Sequence, residues 1–253
     1  MLAREWRLLL LACRMLTRIP VARGVGRGSG PEAASVRYYP LVGVVVGLAG
    51  AAVLAAAHAP LGAPVAAVLA VATTVIVTGA LHEDGLADTA DGIGGGRTAE
   101  RALEIMRDSR IGSYGVLALI LAVAARVLVL AALPMWIGAA MLVAAHGLSR
   151  WSVVLMIATA RYVRDSGIAS PVAGPVSPAS HALAGATAIA CLAVLATVAT
   201  PAATLAVVAG LALGHVAARA AFQRKLGGYT GDCLGATQQA SEIGACLGLL
   251  AGI

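Results

Sequence analysis

Long apolar runs alternate with short polar breaks along this chain. Runs at about 40–57, 64–81, 114–133, 137–160, 181–199 and 203–218 approach or exceed the roughly 18 apolar residues that mark a membrane span. A further apolar segment runs from about 236 to the end. No stretch shows the alternating pattern of barrel strands, so an outer-membrane barrel is disfavoured. The pattern predicts an all-α, polytopic helical membrane protein with about six to seven transmembrane helices plus short interfacial helices. It reads as one integral membrane domain over 1–253. The second run is expected to continue as helix toward residue 91, and a short polar helix is expected over about 98–110.

The first 20 residues begin basic and contain Leu8-Leu9-Leu10-Leu11-Ala12-Cys13. The run is short for a signal peptide, and Arg14 follows it at once, so an interfacial amphipathic helix is expected instead. Residues 22–32 are rich in Gly, Arg and Ser and read as a loop. Gly26-Arg27-Gly28-Ser29-Gly30 lacks the Gly-Lys-Ser/Thr ending of a P-loop.

Composition supports the same class. The chain is 60% hydrophobic and 12% charged, with a mean hydropathy of +0.89, against about 25% charged residues in an ordinary soluble domain. The net charge of +6 does not indicate nucleic-acid binding, because the basic residues cluster beside the spans. The N-terminal segment and the loops 82–113, 161–180 and 219–235 hold all of the 18 Lys and Arg except Arg126 and Arg150. The alternate turns, at 58–64, Leu133-Pro134-Met135-Trp136 and Thr200-Pro201, hold none. The positive-inside rule then places the N-terminus and the loops at 82–113 and 219–242 in the cytoplasm of a bacterial cell, on the inner membrane. Cys13, Cys191, Cys233 and Cys246 form no close sequence pair and imply neither a disulfide framework nor a zinc site.

More than half of the 12 acidic residues lie in one stretch: Glu83, Asp84, Asp88, Asp91, Glu100, Glu104 and Asp108. On a helix, Asp84 and Asp88 are about 40° apart and Asp84 and Asp91 about 20° apart, so the three share one face. Carboxylates gathered at a membrane boundary should take up protons or hold cations. An all-oxygen set suits Mg²⁺ or Mn²⁺, hard ions that also bind phosphates. Gly85 and Gly92 let a substrate or a neighbouring helix approach, and Gly94-Gly95-Gly96 allow a sharp reversal. Thr98 is a candidate N-cap. Asp108 is a candidate to complete the metal site, with Arg107 or Arg110 meeting a diphosphate. Glu100 and Glu104 read better as a solvated face, with Arg101 and Arg107 as partners. His82 is a candidate ligand or proton carrier, but a lone histidine at a span end is more often just interfacial.

A second polar motif spans 227–242. Thr230 and Asp232 lie in its glycine-rich turn and are candidate binding residues for a phosphate-bearing substrate. Gln238 and Glu242 follow, one helical turn apart. Arg150 is a candidate partner for Glu242, and Arg126 a candidate to line an anionic substrate path.

Together these blocks resemble the cobalamin synthase family, adenosylcobinamide-GDP ribazoletransferase. The resemblance rests on Thr17-Arg18-Ile19-Pro20, Tyr39-Pro40-Leu41-Val42-Gly43, His82 through Gly92 (His-Glu-Asp-Gly-Leu-Ala-Asp-Thr-Ala-Asp-Gly), Leu103 through Gly112 and Gly227 through Ala236. It covers nearly the whole chain. It implies a Mg²⁺-dependent inner-membrane enzyme that joins adenosylcobinamide-GDP to α-ribazole, or to its 5′-phosphate, and releases GMP in late cobalamin biosynthesis. Asp84, Asp88 and Asp91 are then the expected metal ligands and catalytic residues, with Asp108 as a ligand or base. The expected partners are these two substrates and the lipid bilayer, with no nucleic acid, and a homo-oligomer is compatible with the sequence. A looser likeness is to CDP-alcohol phosphotransferases, which use an Asp-Gly-x-x-Ala helical motif with spaced aspartates, against Asp84-Gly85-Leu86-Ala87 here with a different downstream spacing. Asp88 stands where that family has Arg, so only the chemical analogy carries over. The competing class is a divalent-cation transporter or channel. Its carboxylates would be expected near mid-membrane on broken helices rather than at a span end.

Overall fold

The structure is a computed structural model, and it describes residues 2–21, 32–164, 167 and 169–253. The stretch Gly26–Gly30 and Asp165 lie outside the described residues. Helix α1 (Leu2–Leu16) turns Leu8, Leu11, Ala12 and Leu16 inward and leaves Leu2 and Trp6 exposed, as expected of an amphipathic helix. A short helix, α2 (Glu32–Ser35), and one 3₁₀ turn lead into α3 (Tyr39–Thr78).

α3 is two antiparallel arms. Gly62 takes φ 78° and ψ 162°, a conformation open mainly to glycine, and Pro60 and Pro64 flank it. Beyond it the chain folds back, so that Gly50 packs on Ala70 and Thr74. Leu54, Ala57, Ala66, Ala67, Ala70 and Val71 close the hairpin. The first two predicted spans are thus found as the two arms.

Five stretches are long and apolar enough to cross a membrane, with the whole of α3 counted as one of them. The others are α6 (Ser113–Ala132), α7 (Met135–Thr159), α8 (Pro178–Ala196) and α9 (Pro201–Leu226). Ser177 and Thr200 cap α8 and α9 by accepting from the backbone N–H of Ser180 (3.2 Å) and Ala203 (3.1 Å), each followed by proline in the first turn. α7 is the central element. Its residues Gly138 through Ile157 are mostly buried, and Gly43 and Gly47 of α3 press against its backbone at His146 and Leu142.

The last helix, α10 (Gly231–Gly252), carries polar residues yet lies deep in the protein. It runs antiparallel to α9 along most of its length. Gly210 meets Gly244, Gly214 meets Ala240, and Ala206 meets Gly248, all backbone to backbone. Small residues permit such approach between helices in lipid. α10 therefore shares the depth of α9, and the final segment is one more transmembrane-length helix.

Folding the chain this way collects one set of ends together. The turns after α3, α5, α7 and α9 meet there. Tyr229 N–H donates to the Arg161 carbonyl (2.8 Å), Val163 N–H to the Tyr229 carbonyl (3.0 Å), and Arg18 N–H to the Val77 carbonyl (2.8 Å). A Cβ at Gly244 would collide with the Gly210 backbone, which has no flexible side chain to yield. Gly244→Leu should therefore cost about 1–3 kcal/mol or more by overpacking. A thermal melt of the detergent-purified protein checks this, and an unchanged transition would refute the crossing.

Candidate active site

The acidic motif sits on α4 (Leu81–Gly95), a helix of its own. The expected continuation of the second span is corrected here. Gly79 and Ala80 both have positive φ, 65° and 58°. Gly79 N–H donates to the Ile76 carbonyl (3.0 Å) and Ala80 N–H to the Val75 carbonyl (2.9 Å). That pair of bonds is a Schellman stop, which ends the span and re-aims the chain. The Arg18 side chain packs over Gly79, which gives the Thr17–Pro20 block a place at this turn.

α4 crosses α10 where Gly85 faces Gly235 and the Asp232 backbone. With no side chain at that crossing, Asp84 and Asp232 come to line one cavity of about 270 Å³. Its other polar walls are Tyr39, His82, Arg150, Tyr162 and Arg164. Arg164 Nη1 pairs with Asp232 Oδ2 at 2.8 Å, and Arg164 Nη2 reaches the Met106 carbonyl at 3.5 Å. Asp88 lies one turn from Asp84. Burial first, then the charges of Asp84 and Asp232, raise its carboxyl to about 6. His82, buried and facing Arg150, His146 and Arg126, is held neutral, its pKa well below the usual histidine value.

Under the cavity lies a buried ionic network. Arg126 Nη2 pairs with Glu83 Oε1 (3.1 Å) and Arg126 Nη1 with Glu242 Oε1 (3.5 Å). Glu242 Oε2 also faces His146 Nδ1 at 3.3 Å. Gln239 donates to Glu83 (3.1 Å), and Gln238 donates to Ser149 (3.0 Å) and to Glu242. The expected Arg150–Glu242 pair is therefore corrected. Glu242 pairs with Arg126, because α6 brings that guanidinium between α4 and α10. Arg150 instead donates through Nη1 to the His146 carbonyl (3.1 Å).

A family model described as cobalamin-5-phosphate synthase matches residues 8–250. The chain belongs to that family. An adenosylcobinamide-GDP ribazoletransferase of Leptothrix cholodnii is 44% identical over 100% of this chain and 98% of its own length. One of Bradyrhizobium diazoefficiens is 44% identical over 93% of this chain and 90% of its own. One of Ralstonia pickettii is 40% identical over 99% and 97%. No solved structure shows a significant match to the chain.

In this member of the cobalamin-5-phosphate synthase family the four expected aspartates do not gather in one place. Among the described residues no group of three or more His, Cys, Asp or Glu is arranged to hold a metal ion. Asp84 and Asp88 lie together with Asp232. Asp91 is buried and accepts from the Gly112 N–H (2.7 Å) and the Gly115 N–H (2.9 Å). It thereby caps α6, whose own N-cap, Gly112, has no side chain for the task. Asp108 sits in an exposed turn, pairs with Arg110 at 2.7 Å and is held down at about 2 by that partner. Arg107 is exposed. Helix α5 (Ala99–Ile105) ends before both arginines, so the helix expected over 98–110 is shorter than its pattern suggested. α4 runs through Gly94 and Gly95, and the reversal falls at 96–98. Thr98 caps α5 as expected, accepting from Arg101 N–H (3.2 Å), and Arg101 pairs with Glu104 (2.8 Å). Thr230 caps α10 by accepting from Cys233 N–H (3.3 Å). The cavity cations are Arg164 and Arg150, which the sequence places only as a loop residue and a span residue.

Two outcomes follow from this geometry. Asp91→Ala removes two acceptors from buried N–H groups at a helix start and should cost about 2 kcal/mol, read as a lowered melting temperature, while Asp91→Asn keeps an acceptor and loses less. Equal stability of both variants and wild type would remove the cap assignment. The second outcome concerns pH. Asp88 titrates at about 6 when folded and near 3.8 when unfolded. Between those values the folded chain binds the proton more tightly, so this group's contribution is full below about pH 3.8 and is lost as pH rises through 6. In chelator, the melting temperature should fall across that window, and Asp88→Asn should flatten the fall. An identical slope in the variant would assign the effect to another group.

Proposed function

We propose that this chain transfers the adenosylcobinamide-phosphate group of adenosylcobinamide-GDP to α-ribazole, or to its 5′-phosphate, and releases GMP. The observation that carries the reading is the cavity where α4 meets α10: carboxylates and arginines converge in an otherwise apolar protein whose full-length relatives bear that activity's name. Neither the fold nor the relatives favour a cation transporter.

The cavity chemistry suits a phosphoryl displacement. Arg164 is placed to meet the diphosphate of the donor while Asp232 holds its guanidinium in position. Asp84 or Asp88 takes the proton of the attacking hydroxyl as the new P–O bond forms and GMP leaves. The donor type suits a Mg²⁺ ion, since Asp84, Asp88 and Asp232 offer only hard oxygens and their negative charges oppose one another, but as placed they do not form a three-ligand set, so binding an ion requires them to draw together. When bound, the ion would neutralise charge on the phosphoryl oxygens. Asp91 and Asp108 are otherwise engaged and are not assigned to it.

The bilayer side is part of the same proposal. The turn carrying α4 and α5 lies at the end that also carries Arg161, Arg164 and the basic last turn of α9. The positive-inside rule supports a cytoplasmic site on the bacterial inner membrane, where a nucleotide-activated donor is available.

GMP release by the purified protein in liposomes, from adenosylcobinamide-GDP and α-ribazole, tests the reading. Mg²⁺ should support turnover, EDTA should abolish it, and Asp84→Asn or Asp88→Asn should lower it by about 10²-fold or more. Full turnover in Asp88→Asn would move the chemistry elsewhere, and no GMP from folded wild type would overturn the function.

A further inference from the structure

Arg150 has two nitrogens without a hydrogen-bond partner in a place where that is costly. Its residue is 1% exposed, on the central helix α7. Nη1 is used, donating to the His146 carbonyl at 3.1 Å and facing His146 Nδ1 at 3.1 Å. Nε and Nη2 are sealed from solvent and have no hydrogen-bond partner. No carboxylate lies within ion-pair distance of the guanidinium among the described residues, although Glu242 and Glu83 act on it from farther away. Both of those glutamates are held by Arg126. Arg126 and Arg150 thus share one buried region, and the available carboxylates pair with only one of them.

A buried guanidinium without a direct counter-ion is among the most expensive groups a protein can carry. Arg150 nevertheless forms part of the wall of the α4–α10 cavity, beside Tyr39 and His82. His82 is a base and supplies no anion. Much of the cavity lining is apolar, Leu16, Val153 and Val172 among it. Arg150 borders the cavity, and because Nε and Nη2 are covered in this conformation, a partner in the cavity reaches them as the side chain turns toward it.

We propose that Arg150 receives a phosphoryl oxygen of a substrate. Its planar fork offers Nε and Nη2 together, the pair that meets two oxygens of a phosphate. This assignment rests on the transferase reading for its substrate class. The phosphate has two sources, the diphosphate of the donor or the 5′-phosphate of the acceptor, and Arg150 marks a position separate from the Asp232-bound Arg164.

The test uses full-length protein in detergent. Inorganic pyrophosphate and inorganic phosphate serve as probes, with melting temperature as the readout. Wild type should be stabilised by at least one of them, and Arg150→Gln should lose that stabilisation while Arg150→Lys keeps part of it. Steady-state kinetics then separate the sources. A KM raised about tenfold or more in Arg150→Lys for the phosphorylated acceptor, with that for α-ribazole unchanged, assigns the acceptor phosphate. A KM raised equally for the donor with either acceptor assigns the diphosphate. A purely structural arginine would lower stability and kcat but leave probe binding and both KM values in place, and that result overturns the proposal. Absence of stabilisation of wild type by either probe overturns it as well, without recourse to a variant. Failure of the transferase reading shows separately, as no GMP from a wild type that still binds the probes.

Discussion

Arg126 is where an apolar bundle becomes a site. Its guanidinium lies between Glu83 on α4 and Glu242 on α10, and His146 on α7 closes the set. Four helices that apolar packing alone would leave free to slide are thereby fixed at one level. Pairs of this kind are weak evidence for net stability, because desolvation offsets much of the attraction. Their effect is on position. Removing one partner would strand the others as buried charges at a cost of about 3–5 kcal/mol, so few alternative packings are open to the bundle. The cavity above inherits that definition, since His82 and Asp84 flank Glu83 on α4, and Asp232 begins the helix that carries Glu242.

The same arrangement divides the acidic residues into different roles. Glu83 points into the network, Asp91 into the start of α6, and Asp84 lines the cavity with Asp88 one turn along. Two successive one-turn steps along a single helix move a carboxylate from exposed at Asp84, through half-buried at Asp88, to buried at Asp91. What differs is the neighbour: open cavity first, then the approach of α6.

The architecture was largely legible in the sequence because it depends on local signals. Apolar runs, basic loops and the cap at Thr98 act within a few residues of themselves. That the acidic motif is helical was legible for the same reason. The role of Asp91 was not, since its donors are 21 and 24 positions away and nothing local distinguishes it from Asp84. Arg126 and Arg150 present equal signals as span arginines, and only the packing of α6 against α4 and α10 decides which takes the glutamates. Arg164 looked like one more basic loop residue until the bridge between Tyr162 and Tyr229 drew its loop over α10. One missed feature did carry a sequence signal. A glycine following an apolar run, as at Gly79, is the ordinary mark of a helix stop.

That stop has a mechanical meaning. A continuous helix transmits tilt and axial displacement along its whole length, so a motif built on the end of a span would move whenever the surrounding bilayer thinned or thickened. The left-handed residues Gly79 and Ala80 interrupt the transmission. The second arm of α3 can follow the lipid while α4 stays in register with α10, to which Gly85 and Gly235 lock it. The joint leaves the direction of α4 to be set by its crossing with α10 rather than by the axis of the second arm of α3.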